Sequence, residues 1–258
     1  MMHLKIQLLF ARRSVMLKKS HREFITQTRK TVGRAINRYG MVKAGDRVLV
    51  ALSGGKDSLV LLDTITERLR YLPITYEVAA AHVVIECMPR QASEDYLREF
   101  CGERGIALHI RTVPGRIDFA RGSSPCFVCS WHRRRELFIL MKELGFNRLA
   151  FGHHMDDIVE TLIMNMAIHG KICAMPLTLS MFSGQFDLIR PLGLLAEKDI
   201  VRYVKLKGLV PGEYICPYGQ SSMRAVTKNL VKEMHALSRF ALHNLFTAPS
   251  RIDTEYIP

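Results

Sequence analysis

Ser53, Gly54, Gly55, Lys56, Asp57 and Ser58 place two hydroxyls, two glycines, a cation and a carboxylate in consecutive positions. They follow the apolar run Val48-Leu49-Val50-Ala51-Leu52 and precede Leu59-Val60-Leu61-Leu62. This pattern predicts a strand, a glycine turn and a helix start. Glycines let the backbone approach a phosphate closely, and the orphan N–H groups and positive dipole end of the following helix favour an anion. The chemistry indicated is phosphate binding. Lys56 is followed by Asp57 rather than by the Ser or Thr that holds magnesium in a Walker A loop, and no dinucleotide fingerprint is present.

The second chemical constellation is built from cysteine. Pro125-Cys126-Phe127-Val128-Cys129 carries a C-x-x-C, expected in a loop ahead of a helix over 133–144, and Cys216 in Ile215-Cys216-Pro217-Tyr218-Gly219 supplies a third thiol. The spacing suits zinc, an iron-sulfur cluster and a redox dithiol alike. Zinc would take a fourth ligand such as His132, whereas a thioredoxin-like pair would open a helix after the first strand and this one lies late. Arg133, Arg134 and Arg135 would stabilise thiolates as well as RNA phosphate. Cys87, Cys101 and Cys173 read as buried thiols that pack as small hydrophobes.

The third constellation is Gly152-His153-His154-Met155-Asp156-Asp157. Asp57 with one or both of Asp156 and Asp157 would hold Mg2+, which takes one or two carboxylates plus phosphate oxygens. Adjacent carboxylates at a helix start also suit N-terminal capping. His153 and His154 would orient phosphate or exchange protons.

These groups need a scaffold, and the chain alternates from residue 47 onward. Strands are expected at 47–52, 77–84, 107–112, 148–151 and 188–190, with helices at 56–71, 93–104, 133–144, 156–169, 197–207 and 223–237. Near-continuous apolar strands alternating with helices predict an α/β fold with a doubly wound parallel sheet. Ligands of such sheets collect at the carboxyl ends of the strands, where residues 53–58, His82 and residues 152–157 fall, so one crevice should hold them all. Phe24, Thr28, Val32, Ala35, Ile36 and Tyr39 recur at helical spacing and predict an amphipathic helix over 20–39. Its other face carries Arg22, Arg29, Lys30, Arg34 and Arg38. Loops containing Gly115 and Gly122, and an irregular tail from 248, complete the reading. The expected division is a basic helical segment over 1–40, an α/β domain carrying the phosphate loop over 41–210 and a C-terminal segment with the third cysteine over 211–258.

Across 258 residues the formal charge is +13, which fits a polyanionic partner, nucleic acid before a membrane surface. No apolar stretch approaches the roughly 20 residues needed to span a bilayer. Residues 1–10 precede Arg12 and Arg13, the reverse of a secretory signal's order, so a cytoplasmic location is expected, with Met16 an alternative start. In a reducing compartment the six cysteines would serve as metal ligands or in catalysis rather than as staples.

Ser53-Gly54-Gly55-Lys56-Asp57-Ser58 resembles the PP-loop of ATP pyrophosphatases, which split ATP into AMP and diphosphate. Taken with Cys126-x-x-Cys129, Trp131 to Leu137, Gly152 to Asp157, Ile189-Arg190-Pro191-Leu192 and Glu197-Lys198-Asp199-Ile200, the chain from about residue 18 onward resembles the TtcA family, the tRNA 2-thiocytidine synthetases. The resemblance implies a PP-loop, adenine nucleotide alpha hydrolase-like fold. It also implies ATP-dependent replacement of the C2 oxygen of an anticodon-loop cytidine by sulfur, with Mg2+ and a [4Fe-4S] cluster on Cys126, Cys129 and Cys216. The catalytic set is then these three cysteines with Asp57 and Asp156. The nucleotide set is Ser53, Gly54, Gly55, Lys56, Asp57, Ser58, His82, Gly152, His153 and Asp157. Partners implied are tRNA, a cysteine desulfurase or other sulfur donor, and a second copy in a homodimer. One departure stands out: Gly219 occupies the place where the family commonly has a second C-terminal cysteine. A lysidine synthetase-like or thiouridine-forming enzyme, and a non-catalytic sulfur carrier, are the alternatives; the cysteines disfavour the first, the intact loop and Asp156-Asp157 the last.

Overall fold

The computed structural model describes residues 2–86, 92–114, 125–212 and 223–256, with side chains at all of these except 2–18, 125, 126 and 256. In chain order the elements are α1 (Met2–Arg38), β1 (Arg47–Ala51), α2 (Lys56–Leu69), β2 (Glu77–Ile85), α3 (Glu94–Gly102), β3 (Ala107–Val113) and α4 (Pro125–Leu144). They continue as β4 (Arg148–Ala150), α5 (Met155–His169), β5 (Thr178–Met181), β6 (Phe186–Ile189), α6 (Glu197–Lys207), α7 (Met223–Met234) and α8 (Ala241–Thr247). The strands form one sheet in the order β3-β2-β1-β4-β6-β5.

Alternation along β1 explains the layers. Val48 and Val50 point to the face covered by Leu59, Leu61 and Leu62 of α2 and by Val32, Ala35 and Ile36 of α1. Leu49 points to the other face, where it joins Ala79, Ala81, Leu149 and Leu188 under Leu137, Leu140 and Met141 of α4. Each buried aliphatic side chain contributes about 1.5–3 kcal/mol. Both faces are therefore dry, which is why the central strands read as apolar runs.

The chain leaves β1 for β2 and β3 on one side, then crosses to β4 and β6 on the other. The reversal lies between β1 and β4, which pair in parallel through Val48–Arg148, Leu49–Leu149 and Val50–Ala150. A crevice at the carboxyl ends of these two strands is the consequence.

Behind α2, Asp63 is 3% exposed and accepts hydrogen bonds from Tyr203 Oη at 2.6 Å and Arg104 Nη2 at 2.9 Å. Lys207 at 3.5 Å and Arg29 at 3.8 Å complete a network that ties α1, α6 and the end of α3 to α2. On the far flank Val231 of α7 and Leu242 of α8 pack on Met155, Val159 and Ile163 of α5.

The structure corrects several expectations. The first helix begins at Met2, because residues 2–19 are rich in helix formers and contain neither Gly nor Pro. The C-x-x-C lies not in a loop but in the first turn of α4, which starts at Pro125, a residue pre-organised for the first helical position. The sheet is not wholly parallel: β5 runs antiparallel to β6 through a turn in which Phe182, Ser183 and Gly184 all have positive φ. The tail contains α8 before it becomes irregular. Cys101 is buried, and burial raises its thiol pKa to about 11; Cys173, by contrast, is exposed on the loop after α5 and its Sγ accepts from Asn165 Nδ2 at 3.3 Å. Cys87, Gly115, Gly122, Cys216 and Gly219 lie outside the described residues.

Candidate active site

At the β1–α2 junction Gly54 adopts φ +85, and a Cβ there would lie 2.3 Å from Ala92 Cβ. Only glycine fits. Ser58 Oγ accepts from Gly54 N at 3.1 Å and donates to Gly55 O at 2.9 Å, while Ser53 Oγ accepts from Gly55 N at 3.3 Å. The hydroxyls thus hold the loop in shape before any phosphate arrives. Gly54 O accepts from Gly212 N at 3.0 Å, which fastens the chain after α6 to the same loop.

Lys56 Nζ lies 3.1 Å from Asp57 Oδ2 and 3.0 Å from Glu197 Oε1. Burial works against its charge, but these two carboxylates outweigh it and raise the lysine pKa. Asp57 Oδ1 is buried without a hydrogen-bond partner. Gly152, after β4, brings its backbone against the loop: a Cβ there would stand 3.0 Å from the carbonyl carbon of Asp57.

His153 and His154 then diverge. Burial first, with Arg190 among the secondary causes, lowers the His153 pKa to about 4. Its Nδ1 accepts from Arg190 Nε at 3.3 Å, so the neutral ring carries its proton on Nε2. His154 sits among three carboxylates, with Nδ1 3.5 Å from Asp156 and Nε2 3.4 Å from Asp157 and 3.8 Å from Asp57. Burial opposes its protonation, yet Asp156, Asp157 and Asp57 together raise its pKa.

A cavity of about 840 Å³ opens on these groups, a size suited to a nucleotide with part of a second substrate. Ala51 and Leu52 line it at the end of β1, Ala81 and Val83 from β2; Ser53, Lys56, Asp57 and Ser58 from the loop; and Gly152, His153, His154 and Asp157 from the β4–α5 junction. Ser130, Arg133 and Arg134 of α4 close one side. Arg190, Glu160, Glu197, Arg224 and Lys228 also reach it.

Most of the expected residues therefore converge. Asp156 does not line the cavity: its Oδ2 accepts from Glu197 N at 2.7 Å and caps α6, whose own N-cap is Ala196. Asp157 caps its own helix by accepting from His154 N at 2.9 Å and also meets Arg224. His82 stands between Ala81 and Val83 but off the cavity, its Nδ1 2.7 Å from Leu52 O. The alternation of a strand turns it away. Cys129, on α4, is half-buried and packs with Val128 against the core on that side of the sheet, one residue before cavity-lining Ser130. Cys126 occupies the same helical turn, its side chain outside the described set, as is Cys216.

Sequence reasoning gave no role to Glu160, Arg224 or Lys228. Arg224 meets Asp157 and lies 3.3 Å from Glu160, and Lys228 lies 2.8 Å from Glu197, so the first turns of α7 are clamped onto the crevice. Burial and these lysines act in opposite senses on Glu197, and the lysines prevail, lowering its pKa to about 2. The available signal was the 3- and 4-residue spacing of acids on α5 and bases on α7. Among the described residues no three His, Cys, Asp or Glu side chains form a ready-made metal cage. Mg2+ would not need one, since it borrows phosphate oxygens.

Residues 24–211 match the PP-loop domain family. The tRNA-cytidine(32) 2-sulfurtransferase of Psychromonas ingrahamii is 36% identical over 232 residues, covering 87% of this chain and 74% of that protein. The protein of the same name from Alcanivorax borkumensis is 33% identical over 232 residues, covering 87% and 80%. Among solved structures, the U34-tRNA thiolase NcsA from Methanococcus maripaludis with its [4Fe-4S] cluster superposes with a TM-score of 0.73 at 25% identity, over 91% of this chain and 80% of that one. With its glycine cradle after β1 and its acidic junction after β4, this chain belongs to the PP-loop family of tRNA-cytidine 2-sulfurtransferases.

Proposed function

We propose that the protein adenylates the C2 oxygen of an anticodon-loop cytidine and replaces it with sulfur delivered at a [4Fe-4S] cluster held by Cys126, Cys129 and Cys216. One observation carries this reading: Ser130, Arg133 and Arg134, immediately after Cys129, line the same cavity as the phosphate loop. Activation and sulfur delivery would share one chamber. The described chain on either side of Cys216 supports it, because Gly212 bonds to Gly54 and Arg224 meets Asp157 and Glu160.

The amides of Gly54 and Gly55, the hydroxyls of Ser53 and Ser58 and the ammonium of Lys56 neutralise the charge that gathers on departing diphosphate. Asp57, whose Oδ1 is a buried oxygen without a hydrogen-bond partner, is a fitting ligand for Mg2+, with Asp157 beside it. Neutral His153 donates from Nε2 as a hydrogen-bond group, not as an imidazolium acid. Cys126, Cys129 and Cys216 would hold the cluster, which would supply the sulfur that reaches the base. The same reading makes tRNA the macromolecular substrate, a cysteine desulfurase or another donor the sulfur source, the cytoplasm the compartment and a homodimer the assembly. It keeps 41–210 as the ATP-binding unit, flanked by 1–40 and 211–258.

Anaerobic reconstitution followed by iron and labile-sulfide assay tests the cluster, and nucleoside mass spectrometry of tRNA tests the product. Replacing Cys216 by Ala is expected to abolish thiolation while ATP still binds. A colourless protein without iron, or a C216A variant that still thiolates, rejects the ligand assignment.

A further inference from the structure

Among the described residues two arginines are less than one-tenth exposed, Arg148 at 8% and Arg190 at 7%. They stand at opposite ends of the sheet and are treated in opposite ways. Arg148, at the start of β4, is compensated by Asp46 at 2.9 Å and by Asp187. Arg190, just past the end of β6, has no carboxylate within ion-pair distance among the described residues. Its Nε donates to the neutral His153 ring and its Nη1 to Pro176 O. Burial, and then the like charge of Arg134, work against its cationic form, yet a guanidinium does not give up its proton in a protein. A buried, uncompensated charge is strongly unfavourable unless something neutralises it.

The same wall of the cavity holds two further arginines that meet no acidic partner among the described residues. Among the described residues Arg134 donates to Ser130 alone, to O and Oγ at 3.2 Å, and Arg133 Nε is buried without a partner. The acids of the cavity are committed elsewhere: Asp57 to Lys56, Asp157 and Glu160 to Arg224, and Glu197 to Lys56 and Lys228. Among its described lining residues the cavity is thus zoned, with the acids paired on one wall and the arginines unpaired on the other.

We propose that Arg190, assisted by Arg134 and Arg133, forms a second phosphate site, distinct from the glycine loop, which holds the single phosphate that stays with the base after diphosphate leaves. This deepens the thiolation reading and rests on it. In activation the cytosine O2 bonds to the α-phosphorus as the bond to diphosphate breaks, and diphosphate takes the electron pair onto the loop. In the second step sulfide sulfur bonds to C2 as the C2–O bond breaks, its electron pair leaves on AMP, and the proton of a hydrosulfide goes to water. The second departure places charge on one phosphate, away from the loop, where Arg190 would receive it. A phosphodiester of the tRNA beside the target base offers the same chemistry, and the experiment separates the two sources.

Reconstituted holoenzyme, R190Q and R134Q are titrated with AMP, with diphosphate, and with tRNA over a range of salt. The expected result is AMP binding weakened at least tenfold in R190Q and less in R134Q, with diphosphate binding within twofold of wild type. Unchanged AMP binding together with a salt slope for tRNA reduced by about one also supports the site and assigns it to the RNA backbone. Unchanged binding of AMP and tRNA in both variants overturns it. So does an equal loss of AMP and diphosphate in the rim variant R134Q, which leaves the Arg190 side chain itself intact. A wild-type protein that binds neither ATP nor diphosphate overturns the underlying reading of the cavity instead.

Discussion

Lys56 and Glu197 face each other across the crevice with Nζ 3.0 Å from Oε1, joining the phosphate loop to the first turn of α6. Glu197 also takes Lys228 of α7, so one carboxylate aims the loop cation and anchors a helix from the C-terminal segment. E197Q removes the charge and keeps the shape. Charge-assisted hydrogen bonds contribute about 1.5–3 kcal/mol, so kcat/KM for ATP is expected to fall about tenfold or more. Steady-state thiolation with varied ATP checks this; an unchanged value means that Lys56 finds its phosphate unaided.

Gly54 is constrained twice, by its positive φ and by Ala92. G54A should therefore lose ATP binding and destabilise the fold by about 1–3 kcal/mol, the range for a side chain forced into such a conformation. Calorimetric ATP titration and urea unfolding together measure both effects. Shrinking the neighbour in an A92G/G54A double variant relieves the clash but not the backbone strain, so only part of the loss should return.

Asp63 links pH to stability. Burial opposes its ionisation, but hydrogen bonds from Tyr203 and Arg104 and the charge of Lys207 outweigh this and lower its pKa in the folded state. A depressed carboxylate contributes stability that is fully present above its unfolded value of about 3.9 and is lost as pH falls through the folded value. Wild-type protein should accordingly weaken steeply below about pH 4, whereas D63N should be flatter there and less stable by about 3 kcal/mol at pH 7. Urea titrations at pH 7 and pH 3 decide it.

The parallel core and the two loops that end β1 and β4 were legible because both are local signals: apolar runs of strand length, and glycine or Asp pairs directly after them. What escaped was set by tertiary contact. Asp156 reads as a ligand beside Asp157, yet the start of α6 turns it into a cap. His82 sits at the right height on β2 but on the wrong side of its strand, and a shift of one residue cannot be read from a run that is apolar on both faces. Arg190 was visible only as part of a motif; that it lacks an acid is a property of what folds around it.

Trp131 supplies the last prediction. It is the chain's single tryptophan, 48% exposed on α4 two residues after Cys129, with Arg135 5.8 Å from its ring centroid. An exposed aromatic flanked by arginines suits a stacked nucleobase, and such stacking is worth about 1–3 kcal/mol per base by alanine substitution. Adding tRNA to the wild-type protein should quench or shift the tryptophan emission, and W131A should bind tRNA about five- to 150-fold more weakly. ATP binding should be untouched, because Trp131 does not line the cavity that Ser130, Arg133 and Arg134 reach. An emission spectrum indifferent to saturating tRNA would place the RNA on another face of the molecule, with the basic stripe of Lys30, Arg34 and Arg38 on α1 the next surface to mutate.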